Sequence, residues 1–207
     1  MPKTTARIGG QCSERPGRSL PILAGVSIER EIKVPVRRLD PVRAALGELG
    51  ADRLEPMTFE DNLVFDDGAH TLAGSGRLLR LRRWGAVATL TYKGPASFVD
   101  GVKHRQELET PVADFEATLA ILAALGFAPL RRYQKRRELW DVDGVHVALD
   151  ETPIGCFVEL EGDDAALRSL APRLGLDPAH AVAGTYLDLW NEWRSRHPEA
   201  GPDMVFP

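Results

Sequence analysis

Length, composition and charge restrict the classes of protein to which the chain can belong. It has 207 residues, of which 43% are hydrophobic and 27% are charged, and a formal net charge of −4. These values are ordinary for one soluble globular domain with a real core. The acidic balance excludes broad nucleic-acid binding, which needs a large positive surface. No apolar run approaches the ~20 residues of a membrane span. Cys12 and Cys156 are too few for a disulfide framework or a thiolate metal site, and they indicate a reducing cytoplasm.

The predicted elements are mostly strands, with helices between some of them. Residues 1–26 are basic, contain Gly, Ser and Pro and are weakly patterned, which predicts a flexible N-terminal arm. One domain is expected over 27–196, followed by a frayed tail over 197–207. Strands are predicted at 27–36, 57–66, 77–84, 86–93, 102–110, 130–141, 144–151 and 156–161. Helices are predicted after the first strand, over 112–125, and near 164–174 and 179–196.

Several boundaries carry their own residue signals. The first helix is expected to have Asp40 as its N-cap, Pro41 at its first position and Gly50 past its end. Gly94-Pro95 is expected to end the fourth strand because proline cannot donate to a sheet ladder. Asp143-Gly144 is typical of a two-residue hairpin turn.

Charged residues recur at alternate positions of the predicted strands. Since side chains alternate along a strand, Glu29, Glu31 and Lys33 share one face, and Ile28, Ile32 and Val34 are expected to be buried on the other. The same spacing recurs at Arg80/Arg82, Arg105/Glu107/Glu109, Lys135/Arg137 and Glu159/Glu161. Many strands with both charge signs on one face predict a polar interior. The fold class is therefore α+β, with a closed eight-stranded antiparallel β-barrel, a wet lumen and flanking helices.

The two charge signs suit different parts of one ligand. Paired carboxylates bind hard divalent ions such as Mg²⁺ or Mn²⁺, and arginine and lysine bind phosphate. A chamber with both is suited to a metal-bound polyphosphate, because phosphoryl transfer requires mostly positioning and charge stabilisation. The sequence has no phosphate-binding loop of the GxxxxGK[ST] type, no HExxH and no dinucleotide fingerprint.

An ordered set of motifs runs over about 27–195. It consists of Glu29-Arg30-Glu31-Ile32-Lys33, Asp61 to Asp66, Leu79-Arg80-Leu81-Arg82, Leu90 to Pro95, Arg105-Gln106-Glu107-Leu108-Glu109, Lys135-Arg136-Arg137, Leu149-Asp150 and Ile154 to Glu161. This set resembles the CYTH domain family, the triphosphate tunnel metalloenzymes, which include class IV adenylate cyclases and thiamine triphosphatases. The family's fold is the closed triphosphate tunnel, which agrees with the barrel expected from the charge pattern.

The resemblance also implies roles for individual residues. Glu29, Glu31, Glu159 and Glu161 correspond to metal carboxylates for Mg²⁺ or Mn²⁺, and Asp150 to a metal or water partner. The triphosphate cradle corresponds to Lys33, Arg80, Arg82, Lys93, Arg105, Lys135 and Arg137. Lys33, Lys93 and Asp150 are expected to act in catalysis. Glu107 and Glu109 are second metal ligands or pair with neighbouring arginines to shape the lumen. The outer arginines Arg83, Arg131 and Arg132 are expected on a solvated face.

Three functions remain open from the sequence. The first is a metal-dependent triphosphatase, the second an adenylate cyclase that releases pyrophosphate, and the third a polyphosphate-binding module without catalysis. Leu23-Ala24 stands where class IV cyclases carry His-Phe, and Leu78 stands where mammalian thiamine triphosphatases carry Trp. The expected partner is a small molecule with a triphosphate group, with no nucleic acid and no membrane. An apolar helix face near Trp190 and Trp193 leaves a homodimer open.

Overall fold

The computed structural model describes residues 25–207, which form eight strands and five α-helices. The strands are β1 (Gly25–Val36), β2 (Asp52–Asp66), β3 (Leu78–Trp84), β4 (Val87–Val99), β5 (Val102–Pro111), β6 (Ala128–Val142), β7 (Val145–Thr152) and β8 (Gly155–Glu161). The helices are α1 (Asp40–Glu48), α2 (Thr71–Gly74), α3 (Phe115–Ala124), α4 (Asp164–Arg173) and α5 (Tyr186–Arg194), with a 3₁₀ turn at Pro178–His180. The predicted arm over 1–26 lies outside the described residues, apart from the two that begin β1.

The strands close into one antiparallel barrel, as the charge pattern predicts. The order around the barrel is β1-β5-β4-β3-β2-β6-β7-β8, and β8 returns to β1. β1 pairs with β5 over its first half and with β8 over its second half. Glu31 lies at the change of partner, opposite both Lys103 and Glu161. This switch brings the charged faces of three strands together around one residue.

Helices cover much of the outer surface of the barrel with apolar contacts. α1 and α4 pack on the strands that carry Ile32, Val34 and Leu149. α3 covers Phe65 and Leu81 on β2 and β3. Since these apolar faces are buried outside, the alternate positions of the same strands point into the lumen. Within residues 25–207, no helix has the length and apolar character needed to cross a membrane.

Local boundaries partly differ from the sequence-based expectations. Leu39, and not Asp40, is the N-cap of α1, and Asp40 is its first residue, with hydrogen bonds to two arginines. β4 continues beyond Gly94-Pro95, because the register shifts there and a bulge leaves the proline nitrogen outside the ladder. Ile28 is 52% exposed and not buried, because it lies near the start of β1, outside the apolar cluster that buries Ile32 and Val34 further along the same face. The Asp143-Gly144 hairpin is confirmed, and both residues have positive φ.

The C-terminal residues pack against the barrel, so the prediction of a frayed tail is wrong. The Met204 amide donates to the Arg132 carbonyl at 3.0 Å, and the Gln134 amide donates to the Met204 carbonyl at 2.8 Å. Met204 is fully buried, and the Trp190 indole nitrogen donates to the Pro202 carbonyl at 3.1 Å. The residues around Pro202 and Met204 therefore cover the helix face around Trp190, which the sequence left open as a dimer surface.

Candidate active site in the barrel lumen

The lumen brings together every residue of the predicted site, with two further charged residues and one tyrosine. Its cations are Lys33, Arg80, Arg82, Lys93, Lys103, Arg105, Lys135 and Arg137, and its acids are Glu29, Glu31, Glu60, Glu107, Glu109, Asp150, Glu159 and Glu161. Of these, Glu60 and Lys103 were not predicted, and neither was Tyr186, which joins them from α5. Within the described part of the chain the lumen thus holds eight positive and eight negative groups and is formally neutral.

Lysine ammonium groups hold the carboxylates of β1. Lys93 Nζ lies 2.7 Å from Glu29 Oε1, and Lys103 Nζ lies 2.6 Å from Glu31 Oε2. Lys33 Nζ lies 3.4 Å from Glu31 Oε1. All five side chains are almost completely buried. The ExExK strand therefore presents a compact alternation of charges to the lumen.

Two acids on the strands next to β1 extend this cluster. Glu107 Oε2 lies 2.8 Å from Lys93 Nζ, and Glu159 Oε1 lies 3.1 Å from Lys33 Nζ. Burial alone would lower the pKa of Lys33, but the carboxylates of Glu31 and Glu159 outweigh it and raise the pKa. Lys33 is therefore a permanent cation, suited to hold a phosphate oxygen and unsuited to take up a proton.

The two arginines of β3 face a polar wall made by the neighbouring strands. Arg80 donates to the Tyr133 hydroxyl at 3.1 Å and to Thr91 Oγ1 at 3.2 Å. Arg82 donates to Glu109 Oε1 at 3.1 Å. Thr91 in turn donates to Glu109 Oε2 at 2.7 Å. The guanidinium groups are thus already oriented by hydrogen bonds before any anion binds.

Asp150 is the centre of a buried cluster and is fully shielded from solvent. Its carboxylate accepts from Lys135 Nζ at 3.0 Å, from Arg137 Nε at 2.7 Å and Nη2 at 2.6 Å, and from the Tyr186 hydroxyl at 2.6 Å. Arg137 also contacts Glu159. Since four donors already occupy its two oxygens, Asp150 as placed orients two cradle cations.

Glu60 is a lumen acid that was missed in the sequence. It is fully buried, and its Oε1 accepts from Asn62 Nδ2 at 3.0 Å and lies 3.7 Å from Lys135 Nζ. Burial would raise its pKa, but Lys135, Arg82 and further arginines lower it to about 2. Glu60 is therefore a permanent anion that balances the arginine side of the lumen.

Arg105 is engaged differently from the other predicted cradle residues. Its Nε donates to the Gly94 carbonyl at 2.5 Å and its Nη2 to the Gly76 carbonyl at 3.0 Å. Burial lowers its pKa, and the carboxylates of the lumen oppose that effect. As placed, this guanidinium fastens the β4 bulge to the turn before β3.

The acidic side of the lumen offers the donor type that a hard cation prefers. Within residues 25–207, no three acidic, histidine or cysteine side chains converge as a ready metal-holding group, because lysines hold the carboxylates. Yet Glu29 Oε2 is buried without a hydrogen-bond partner. Glu161 lies at the rim, where the surrounding walls and then Glu29, Glu107 and Glu31 raise its pKa to about 7. Crowded carboxylate oxygens of this kind fit Mg²⁺ or Mn²⁺.

The residues outside the lumen behave as expected. Arg83 pairs with Glu116 on the surface, and Arg132 pairs with Asp61 there. His104 contacts Asp164 on the outer face, and His146 is half exposed. These groups have no contact with the lumen charges.

The missed residues differ in how visible they were in the sequence. Lys103 continues the alternate spacing of Arg105, Glu107 and Glu109 by one step, so the period alone could have placed it in the lumen. Glu60 lies within a predicted strand but outside any charged pair. Tyr186 reaches the lumen only because α5 docks against the barrel, and no local pattern signals that.

Comparison with known proteins agrees with this architecture. The family model described as the CYTH domain matches residues 27–171. The adenylate cyclase CyaB of Aeromonas hydrophila is 28% identical over 188 residues, which cover 84% of this chain and 94% of the relative. A solved structure of a candidate adenylate cyclase from Vibrio parahaemolyticus superposes with a TM-score of 0.70 at 20% identity, over 79% of this chain and 98% of the other.

A further solved structure is named for two activities. It is a candidate adenylyl cyclase from Hippeastrum that is described as having a dominant triphosphatase activity. It superposes with a TM-score of 0.62 at 19% identity, over 80% of this chain and 96% of the other. At such identities these two structures show the shared fold alone.

Proposed function

Because the chain belongs to the CYTH domain family, we propose that it is a divalent-metal-dependent triphosphatase. Its substrate is inorganic triphosphate or a nucleoside or other organic triphosphate, and one phosphoanhydride bond is hydrolysed inside the barrel. The observation that carries the proposal is the lumen itself, in which buried cations from several strands are paired with an equal number of carboxylates. A bound triphosphate would replace those carboxylates with its own oxygens as the partners of the cations.

The cations supply the phosphate cradle. Lys33 and Lys93 face it from one side, Arg80 and Arg82 from β3, and Lys135 and Arg137 from β6. Because these cations are largely buried, they interact strongly with the negative charge that develops on phosphate oxygens in the transition state and so stabilise it. Asp150 holds Lys135 and Arg137 in position, and Tyr186 holds Asp150. Arg105 supports the cradle through its hold on the β4 bulge.

The carboxylates of β1 and β8 are proposed to hold the metal. Glu29, Glu31, Glu159 and Glu161 would bind Mg²⁺ or Mn²⁺. When bound, the ion neutralises phosphate charge and lowers the pKa of water. The contacts of Glu107 with Lys93 and of Glu109 with Arg82 support a lumen-shaping role for these two acids. A formally neutral lumen also supports metal dependence, because a triphosphate without a counter-ion would leave several charges uncompensated.

Adenylate cyclase activity is the second candidate. The named activity of the Aeromonas relative supports it. In that reaction the ribose 3′-hydroxyl of ATP attacks, and pyrophosphate leaves. Leu23-Ala24, in place of the His-Phe pair of class IV cyclases, lies outside the described residues. A binding module without catalysis is the third candidate, and the eight lumen acids disfavour it because they repel an anion unless a metal is present.

The expected compartment is a reducing cytoplasm, which the free Cys156 thiol supports.

A direct test of the reaction uses purified full-length protein with tripolyphosphate and Mg²⁺ or Mn²⁺, and measures orthophosphate release. We expect release with either ion and none when a chelator is in excess. Orthophosphate release that persists in the chelator would contradict metal dependence, and no release from any triphosphate would contradict the hydrolase.

A further inference from the structure

A cavity of about 220 Å³ opens where the lumen meets the C-terminal half of the chain. Its inner wall carries Lys33, Lys103 and the Glu31 carboxylate with which both lysines pair. Its outer walls are the β4–β5 hairpin, with Phe98, and the connection over 178–184, which we call the strap. The cavity is thus continuous with the proposed cradle but differs from it in chemistry.

The strap is fastened to β1 by two hydrogen bonds. The Val182 amide donates to the Lys33 carbonyl at 2.8 Å, and Lys33 Nζ donates to the Gly184 carbonyl at 3.2 Å. Its side chains toward the cavity are small or apolar, with alanine at 179, 181 and 183. Short side chains on a fastened segment leave a preformed space that the protein itself does not fill.

Phe98 forms the opposite wall and is 50% exposed. A large aromatic side chain that borders a cavity and remains half in water is a surface on which a planar ring can stack. The nearby Val99 is equally exposed but does not border the cavity. One ring, an apolar strap and two lysines paired with Glu31 therefore meet at one place.

The size of the space limits its occupant. A cavity of about 220 Å³ is smaller than the ~300 Å³ or more of pockets for drug-sized ligands. A single heterocyclic ring system fits this size. The lysines at the inner wall suit the phosphate chain to which such a ring is joined in a nucleotide.

We propose that this cavity binds the base of a nucleoside triphosphate, stacked on Phe98, while its phosphates extend past Lys33 into the rest of the cradle. The inference rests on the proposed function and narrows its substrate to nucleoside triphosphates in preference to inorganic triphosphate. The base is held by stacking and by the apolar strap, so discrimination between different bases is weak.

The test compares two substrates on one set of variants. We measure kcat/KM for ATP and for tripolyphosphate with wild type, Phe98→Ala and the neighbouring control Val99→Ala. Phe98→Ala is expected to lose about tenfold with ATP, the scale of losing one base–aromatic stack. Its rate with tripolyphosphate and both rates of Val99→Ala should stay within about twofold of wild type. Ala179→Trp, at an exposed strap position, fills the space and should also lower kcat/KM for ATP alone.

The outcomes separate this inference from the proposed function. Equal effects of Phe98→Ala on both substrates, or no effect on either, would overturn the base site. Wild-type protein that hydrolyses tripolyphosphate and not ATP would overturn it as well, while the triphosphatase stands. If neither substrate is cleaved, the binding of ATP with Mg²⁺ is measured by calorimetry. Weaker binding to Phe98→Ala than to wild type supports the base site without catalysis, and equal binding overturns the base site.

Discussion

The cluster around Asp150 yields the sharpest prediction, because orienting Lys135 and Arg137 and binding a metal are two roles with different consequences for this carboxylate. The substitution Asp150→Asn removes the negative charge that Lys135 and Arg137 share and turns an amide group toward their donors. Removing one partner of a buried ion pair costs ~3–5 kcal/mol. Glu60 and Glu159 still face the two cations. We therefore expect a loss of ~2–3 kcal/mol in the free energy of unfolding.

The assay is thermal unfolding with and without tripolyphosphate. For a domain of this size, a loss of ~2–3 kcal/mol lowers Tm by ~5–10 °C. The buried cations that lose a negative partner in the variant gain most from an anion, and a ligand at ~100 times its Kd restores about 2.7 kcal/mol. Tripolyphosphate should thus raise the Tm of Asp150→Asn more than that of wild type. A surface control is Asp61→Asn, whose partner Arg132 is half exposed, and it should cost at most ~1 kcal/mol.

Two results would refute this reasoning. One is a Tm of Asp150→Asn that falls no further than that of Asp61→Asn. The other is equal stabilisation of wild type and Asp150→Asn by tripolyphosphate. If Asp150 were chiefly a metal ligand, the substitution would change the Mg²⁺ dependence of turnover and leave the stability near that of wild type.

Three further predictions concern single side chains. Glu159→Gln should lower kcat ~10²-fold or more in a phosphate-release assay, because it removes a charge that acts in the transition state; a wild-type rate would contradict the metal role. Lys93→Ala should raise KM for tripolyphosphate ~10-fold or more, with a smaller fall in Tm than for Asp150→Asn; a collapsed Tm would mark Lys93 as structural. Burial acts to raise the pKa of Asp66, but hydrogen bonds from the backbone amides of Ala73, Leu72 and Asp67 outweigh it and lower the pKa. The contribution of Asp66 to stability is therefore present above the unfolded-state pKa and is lost as pH falls through the folded-state pKa. Urea unfolding across pH 3–7 should show Asp66→Asn destabilised near pH 7 and converging with wild type below about pH 4; a constant difference would contradict the assignment.

The period-two charge pattern was enough to predict the barrel and most of its lumen. Alternation places Glu29, Glu31 and Lys33 on one face whatever the neighbouring strands are, because it is a local property of an extended backbone. The same argument covers Arg80 and Arg82. The placement of all predicted site residues in one chamber follows from that property, repeated strand by strand.

What could not be predicted depends on contacts between distant parts of the chain. The pairing of β1 with both β5 and β8 is set by closure of the barrel. Tyr186 reaches Asp150, and Met204 pairs with Tyr133, only after the C-terminal residues dock. The passage of β4 through Gly94-Pro95 likewise required a bulge that Arg105 secures from the neighbouring strand.

The measurement that tests the central claim most directly is a complete product analysis. Purified full-length protein is incubated with Mg²⁺ or Mn²⁺ and either ATP or tripolyphosphate, and orthophosphate, pyrophosphate and cyclic AMP are quantified together, with Glu159→Gln as the control. The proposed triphosphatase predicts orthophosphate without cyclic AMP, with far less from Glu159→Gln. Cyclic AMP and pyrophosphate in equal amounts from ATP would contradict it and identify an adenylate cyclase.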